Sequence, residues 1–394
     1  MRNILFISHS ACWGGAENSL YTLIKGIDKR IFHPVIVLPN DGKLNGKFRS
    51  LNIRTNICPI KKWVAFNYDY DLKYGVRFFI KLVKRIKNIS NIIKQEQIDV
   101  VYTNTITPIE GAIAARINRI PHIWHIREIL ENDPGLRPIF PIRITYKIVD
   151  YLSDRIIVIS KAQKNILEGC IKKNNLHKLN LIYNGVDISE FGEKIKYKPD
   201  SFREELKLNK DCKVVGCIGS LNERKAQKDL VEAARIVTKK MNDVYFVIVG
   251  DGESRYISQI RSKICEYNLQ KRILLCGRIN NIIPVYNSID LLVSTSKLEP
   301  FGRTIIEAMA AEKPVVAVKA GGPEEIVVEG ETGFLVNKDN IEMLADSIIK
   351  LLTDDKMAKR MGKVGKNIVE NKFTSEIYVK KIQDVIISVK SYRD

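Results

Sequence analysis

The feature that most constrains this chain is an alternation that runs through once and then starts again. In the first half, buried-type runs at Ile4–Ser8, Pro34–Leu38, Val100–Thr103, His122–Trp124 and Arg155–Ile159 are separated by stretches of helical period at Glu17–Ile27, Val76–Ile93, Ile109–Asn118 and Ala162–Cys170. In the second half, Lys213–Gly219, Tyr245–Gly250, Ile273–Cys276, Leu291–Ser294 and Pro314–Val318 repeat the theme, with the helix Asp229–Lys240 after the first of them. Strands alternating with helices imply βαβ units and a parallel sheet covered on both faces. The expected fold class is therefore α/β, in two halves. The segment Asn184–Ser201, NGVDISEFGEKIKYKPDS, is polar and turn-rich without a period and marks the boundary. Thr374–Val389 reads as one last helix.

At 394 residues the chain is long enough for two or three domains, each with its own core. No run approaches the roughly 18 apolar residues of a membrane span. The start, MRNILFISHSACWGGAE, lacks the long apolar region of a signal peptide, so a cytoplasmic protein is expected. The seven cysteines are scattered without a C-x-x-C pair, which speaks against a disulfide framework and against a zinc site. Charge is the unusual bulk property. There are 64 basic against 45 acidic residues, net +19, and residues 1–190 hold 29 basic and 16 acidic of them, net +13. Such a field implies an anionic partner: nucleic acid, an anionic membrane surface or a phosphorylated small molecule. No helix-turn-helix, zinc-finger or RNP pattern is present, so nucleic acid is not expected.

Open parallel sheets bind ligands beyond the carboxyl ends of their strands, so the loops there are the ones to read. In SHSACWGGAEN, Ser8–Asn18, Gly14 and Gly15 precede a helix with Glu17 in its first turn. Paired glycines admit close approach of a ligand to backbone, and a helix start favours an anion. An ordinary strand-to-helix turn has the same residues, and the G-x-G-x-x-G of dinucleotide folds is absent. In GSLNERKAQ, Gly219–Gln227, Arg224 and Lys225 suit a diphosphate, and equally a solvated basic turn.

The third loop, SKLEPFGRTIIEAMAAEKPVVA, says more. Its Pro300–Phe301–Gly302 turn keeps Glu299 in a loop and starts a helix near Arg303, which sets Glu307 little more than one turn in. Helix-start amides hold a phosphate, while two flanking carboxylates accept hydrogen bonds from sugar hydroxyls. An acidic first turn that merely complements its helix dipole does not account for Glu299.

The stretch Glu299–Val336, EPFGRTIIEAMAAEKPVVAVKAGGPEEIVVEGETGFLV, resembles the C-terminal signature of the retaining glycosyltransferases of family four, also described as glycosyl transferases group 1. Further pieces fall in that family's order: Trp13–Glu17 (WGGAE), His125–Ile129 (HIREI), Tyr183–Asp187 (YNGVD), Arg224–Lys225 and Val249–Glu253 (VGDGE). The resemblance implies the GT-B fold, two facing Rossmann-like domains with parallel sheets. Residues 1–188 would bind the acceptor, 189–372 the nucleotide sugar, and 373–394 would form a helix crossing back to the first domain. It implies Gly15, with Gly14, as backbone contacts to the donor diphosphate, and Lys225 and Arg224 as its neutralising cations. Glu299 would bind the transferring sugar, with the amides of Phe301, Gly302 and Arg303 nearby, and Glu307 the ribose hydroxyls. His125 would touch the donor sugar. Two positions depart from the family's habit: Ser220 stands where arginine is frequent, and Ala226 where glycine is.

The implied function is transfer of a hexose from a nucleoside-diphosphate sugar, UDP or GDP, to a glycan or lipid-linked acceptor in bacterial surface polysaccharide synthesis. No cofactor and no metal is implied. Asp69-Tyr70-Asp71 has the D-x-D form of metal-dependent transferases but lies away from a strand end, and Asp71 reads as helix-start chemistry. Residues 73–94 read as a single amphipathic helix. Its apolar stripe is Val76, Phe79, Ile80, Val83, Ile86 and Ile93, and its basic stripe is Arg77, Lys81, Lys84 and Arg85. That pattern fits docking on an anionic membrane surface, peripheral on the inner face of the cell membrane, and equally a core-packed helix with a solvated face. Two other readings stay open: a GT-B nucleotide-sugar epimerase, and a non-catalytic membrane or polyanion binder.

Overall fold

The computed structural model describes residues 1–66, 71, 73–191, 201–209 and 211–390. The chain forms two compact units, Met1–Gly185 with Ser375–Asp394, and Val186–Thr374. The first contains strands β1 (Arg2–Ser8), β2 (Phe32–Leu38), β3 (Arg54–Ile57), β4 (Val64–Phe66), β5 (Val100–Asn104), β6 (His122–Ile126), β7 (Leu136–Pro138), β8 (Arg155–Val158) and β9 (Leu179–Leu181). Seven of them make one parallel sheet in the order β3-β2-β1-β5-β6-β8-β9, while β4 and β7 pair separately and antiparallel.

The continuous apolar run of β1 has a simple cause. Ile4 and Phe6 pack with Leu20, Ile24 and Tyr378 on one face, and Leu5 and Ile7 pack with Ile89, Ile93 and Ala114 on the other. A strand buried on both faces shows no alternation. The last helix, Ser375–Ser388, belongs to this unit: Tyr378, Val379, Ile382 and Ile386 enter its core, and the Arg2 guanidinium donates to Ile386 O at 2.8 Å.

The second unit contains β10 (Lys213–Ile218), β11 (Val244–Val249), β12 (Ile273–Gly277), β13 (Leu291–Ser294), β14 (Val315–Val318) and β15 (Gly333–Val336), all parallel, in the order β12-β11-β10-β13-β14-β15. This is the doubly wound arrangement of nucleotide-binding folds. The order reverses between β10 and β13 here, and between β1 and β5 in the first unit. Loops at such a switch point splay to opposite faces and leave a crevice at the strands' carboxyl ends.

The basic segment differs from its expected form. It is two helices, Tyr74–Ile80 and Leu82–Gln95, broken at Lys81. Ile89 and Ile93 pack into the core, but Val76, Phe79, Ile80 and Val83 stand exposed, Val83 at 80%. Arg85, expected on the solvated stripe, is instead buried: its Nε donates to Glu110 Oε1 at 2.6 Å and its Nη2 to Phe78 O at 2.8 Å. Glu110 is fully buried, and a buried carboxylate needs an opposite charge at hand, which the helix Leu82–Gln95 supplies. Asp69 and Tyr70 of the D-x-D triplet lie outside the described residues. Asp71 accepts from the Lys73 amide at 3.0 Å and pairs with Arg77 at 2.7 Å, at the start of the helix Tyr74–Ile80.

Candidate active site

In the second unit the switch point carries the expected loops. After β10 the chain passes Gly219 and Ser220 into a single turn, Glu223–Lys225, whose start is capped by Asn222 accepting from the Lys225 amide at 3.1 Å. Ala226 then takes a left-handed conformation, φ +51°, before the helix Gln227–Lys240. Alanine thus holds a left-handed turn that glycine would adopt more easily.

After β13 the chain runs to Gly302, φ +107°, and into the helix Arg303–Ala310. Three hydrogen bonds stitch the two loops together: Lys297 N to Arg224 O at 2.9 Å, Thr295 Oγ1 to Lys225 O at 2.8 Å, and the Arg224 guanidinium to Leu298 O at 2.9 Å. The result is a direct ion pair between Lys225 Nζ and Glu299 Oε2, with Ser296 Oγ donating to the same oxygen at 3.2 Å.

A third loop, after β14, fixes Glu299 from behind. Glu299 N donates to Ala320 O, and Gly322 N donates to Glu299 O, each at 2.9 Å. A Cβ on Gly322 would stand 2.2 Å from Phe301 O, so only glycine lets the two loops cross. Gly252 serves similarly beside the basic loop, where a Cβ would lie 1.9 Å from Leu221 O. Burial opposes ionisation of Glu299, but Lys225 and Arg224 outweigh it and hold the carboxyl below its usual range.

Glu307 sits in the same unit, held on both oxygens. Arg303 Nε donates to Oε1 at 2.8 Å, and the buried Tyr286 hydroxyl donates to Oε2 at 2.7 Å. Burial and the adjacent carboxylate push the Tyr286 hydroxyl well above its usual pKa, so it remains a donor. A carboxylate has about four lone-pair sites, which leaves Glu307 about two for a ligand. Among the described residues no side chain caps the helix Arg303–Ala310 at its start. Phe301 is buried, its ring edge-on to Phe373 at 5.9 Å, whereas Ser220 is exposed, its hydroxyl 3.1 Å from Asn222 Nδ2. Ser220, Arg224, Lys225, Glu299, Phe301, Gly302, Arg303 and Glu307 therefore share the loops at one end of one sheet.

Gly14, Gly15 and His125 belong to the first unit. Gly14 is extended and Gly15 opens the helix Gly15–Gly26; among the described residues, nothing beyond its chain neighbours and its own helix backbone lies within 4 Å of where a Gly15 side chain would begin. His125, on β6, is fully buried: its Nδ1 meets the Tyr102 hydroxyl, and its Nε2 has no hydrogen-bond partner among the described residues. Burial, with Arg127 nearby, drives its pKa well below the usual value, so the ring is neutral. Sequence reasoning passed over Arg127, the organising residue of this region. Its guanidinium reaches Asn104 Oδ1 at 2.7 Å, Asn184 Oδ1 at 2.6 Å and the Tyr378 hydroxyl at 2.9 Å. The signal was available, since Arg127 lies in HIREI beside His125, and Asn184 lies in YNGVD. For Tyr286 and Ser296 no local signal existed. Among the described residues no group of three or more His, Cys, Asp or Glu is placed to ligate a metal ion.

Two doubly wound units, the second carrying a paired lysine and glutamate at its switch point, define a GT-B glycosyltransferase. Residues 13–190 match the family described as Glycosyltransferase Family 4, and residues 199–368 match Glycosyl transferases group 1. The chain belongs to glycosyltransferase family four. It is 27% identical over 376 residues to the capsular polysaccharide biosynthesis glycosyltransferase CapM of Staphylococcus aureus, covering 91% of this chain and 97% of that one. It is 29% identical to the UDP-Gal:alpha-D-GlcNAc-diphosphoundecaprenol alpha-1,3-galactosyltransferase of Escherichia coli, over 79% of this chain and 80% of that one. The structure of Anabaena Alr3699/HepE in complex with UDP-glucose superposes with a TM-score of 0.82 at 25% identity, covering 99% and 100% of the two chains.

Proposed function

We propose that the protein transfers a hexose from a uridine-diphosphate sugar to a lipid-linked glycan acceptor with retention of anomeric configuration, in the building of a bacterial surface polysaccharide. The observation that carries this reading is the Lys225–Glu299 pair, held by Arg224 and Ser296 beside the start of the helix Arg303–Ala310. A cation pair and helix amides match a diphosphate, and an ionised, backbone-pinned carboxylate matches sugar hydroxyls. The Escherichia coli relative is by name a UDP-Gal transferase, and Anabaena Alr3699/HepE was solved in complex with UDP-glucose, which favours uridine as the base.

As the bond between the sugar's anomeric carbon and the diphosphate oxygen breaks, negative charge grows on that oxygen. Lys225 and Arg224 stabilise the charge where it develops. The acceptor hydroxyl attacks the same face and passes its proton to the departing phosphate oxygen, so the protein supplies position and charge rather than a nucleophile. Glu299 orients the sugar and Glu307 the ribose. In the first unit, the helix start at Gly15 suits an anion, and the Nε2 of His125, without a hydrogen-bond partner among the described residues, suits a hydroxyl.

A lipid-linked acceptor requires access to a bilayer. Val76, Phe79, Ile80 and Val83 stand exposed among exposed Lys73, Arg77, Lys81, Lys84 and Lys87, a surface suited to the anionic inner face of the cell membrane. Among the described residues no helix is long and apolar enough to cross a membrane.

The test is a thermal-shift panel of UDP, GDP and their sugars on wild type and Glu307→Ala, with and without magnesium. A rise for UDP ligands that is lost in the variant and indifferent to magnesium supports the reading. No rise for any nucleotide sinks it. Consumption of donor without acceptor, yielding an epimer, would move the assignment to an epimerase. Binding to vesicles containing anionic lipid, lost in Ile80→Asp/Val83→Asp, tests the membrane face.

A further inference from the structure

The start of the helix Gly15–Gly26 holds a group the proposed chemistry leaves unused. Glu17, in the first turn, is 5% exposed, and its Oε1 is buried, 3.5 Å from His9 Nδ1 and without a hydrogen-bond partner among the described residues. Its Oε2 folds back over the helix start, 2.8 Å from where a Gly14 side chain would begin. The carboxyl therefore occupies the positive end of the helix dipole, where an incoming phosphate would go. An ionised Glu17 and a diphosphate cannot share that place without strong repulsion. A protonated Glu17 removes the repulsion, and a proton on Oε2, the oxygen over the helix start, makes a donor toward the phosphate.

We propose that Glu17 is a proton-linked gate for nucleoside-diphosphate binding: the donor binds to the form with a neutral carboxylic acid, and binding draws a proton from solvent onto Glu17. This rests on the assignment of the diphosphate to Gly14–Gly15.

The surroundings fit that role. Burial raises the Glu17 pKa to about 7; its own amide, Arg127 and Lys62 oppose the rise, and Glu128 adds to it. His9, at the end of β1, is pushed by burial, Lys62 and Arg127 down to about 3 and stays neutral throughout. Glu128, after β6, is also raised by burial, but its Oε2 is already engaged by the amides of Ile106 and Arg127 at 2.9 and 3.0 Å. Glu17 is thus the carboxyl poised to change state near neutral pH with an oxygen unoccupied.

The sign follows from linkage. A diphosphate is fully ionised above about pH 7, so its own titration drops out there. Above that pH the free protein carries Glu17 as the anion, and affinity falls with each proton that must be recovered, up to about tenfold per pH unit. From pH 7 to 8.5 UDP should bind the wild type roughly fifteenfold more weakly, with uptake near 0.9 proton at pH 8.

The experiment is calorimetric titration of UDP into the full chain at pH 7.0, 7.75 and 8.5, in two buffers of different ionisation enthalpy. Glu17→Gln should bind UDP with a pH-independent affinity and a buffer-independent enthalpy. Wild-type binding with neither pH nor buffer dependence overturns the inference, and it does so whether or not the variant folds. A pH slope that persists in a folded Glu17→Gln also overturns it and points to Glu128. Absence of UDP binding at every pH overturns the donor-site reading itself.

Discussion

Gly322→Ala isolates the geometry of the site from its chemistry. Gly322 has φ −53°, a conformation alanine adopts freely, so the substitution carries no backbone strain of its own. The cost is contact. The new methyl would lie 2.2 Å from Phe301 O, 2.3 Å from its Cα and 2.5 Å from its carbonyl carbon, and real Cβ atoms essentially never come within 3.0 Å of a neighbour. All three atoms are backbone, so no rotamer relieves the clash, and Phe301 must retreat by about 0.8 Å. Phe301 lies between Glu299 and the first turn of the helix Arg303–Ala310, so both move with it. Overpacking of this kind costs about 1–3 kcal/mol, and each kcal/mol lowers the melting temperature of a domain this size by about 2–4 °C. A displacement near 1 Å in a positioned site costs about 10²-fold in rate. We therefore expect a folded variant with a melting temperature lower by about 2–12 °C and about a hundredfold lower kcat/KM for donor, read by release of nucleoside diphosphate. Gly46→Ala is the control: it has open space around it in the exposed part of the helix Lys43–Ser50 and should gain roughly 0.5–1 kcal/mol. A Gly322→Ala protein with wild-type kcat/KM would refute the claim that this crossing sets the position of Glu299.

Glu299→Gln should lose the part of the acid sensitivity that this carboxyl carries. Its pKa is depressed in the fold, so its stabilisation is full above the ordinary carboxylate range, near 4.3, and is lost as pH falls through the lower folded value. Melting temperatures of variant and wild type should converge toward pH 3, and calorimetry at pH 7, 5 and 3 checks this. Arg127→Lys keeps the charge but cannot span Asn104, Asn184 and Tyr378 at once, and should destabilise the first unit by about 2–4 kcal/mol in urea. Arg85→Ala leaves Glu110 buried and unpaired, at about 3–5 kcal/mol, whereas exposed Lys84→Ala should leave stability unchanged within about 0.5 kcal/mol and weaken only vesicle binding.

The two-fold α/β plan was legible because a parallel sheet buries both faces of its strands. Ile4–Ile7 and Val244–Val249 announce themselves as apolar runs whatever packs on them. The edges were not: Arg54–Ile57 is polar and half exposed, and Leu179–Leu181 is only three residues long, so neither carries a pattern that differs from loop. The helix start at Arg303 and the place of Glu307 came out as expected, because a Pro-Phe-Gly turn has few alternatives. The charge stripe on residues 73–94 misled for a physical reason. Periodicity assumes that arginine faces water, and it cannot see that Glu110, twenty-five residues on, needs Arg85 inside.

The same distinction separates what the family signature says from what it means. The glycines of VGDGE and GGPEE are visible in the sequence, but their partners are not. Gly252 meets Leu221 and Gly322 meets Phe301, so each glycine is the point where one strand-end loop passes against another. Lys225 and Glu299 come from different loops, and the loops are tied by the backbone amides of Lys297 and Gly322 and by the side chains of Arg224 and Thr295, all donating to backbone carbonyls. A carbonyl acceptor leaves no trace in the sequence, and a backbone crossing leaves only the glycine that permits it. A residue list for the site can therefore be read from the sequence, while the reason the residues stay together lies in crossings that only the fold displays.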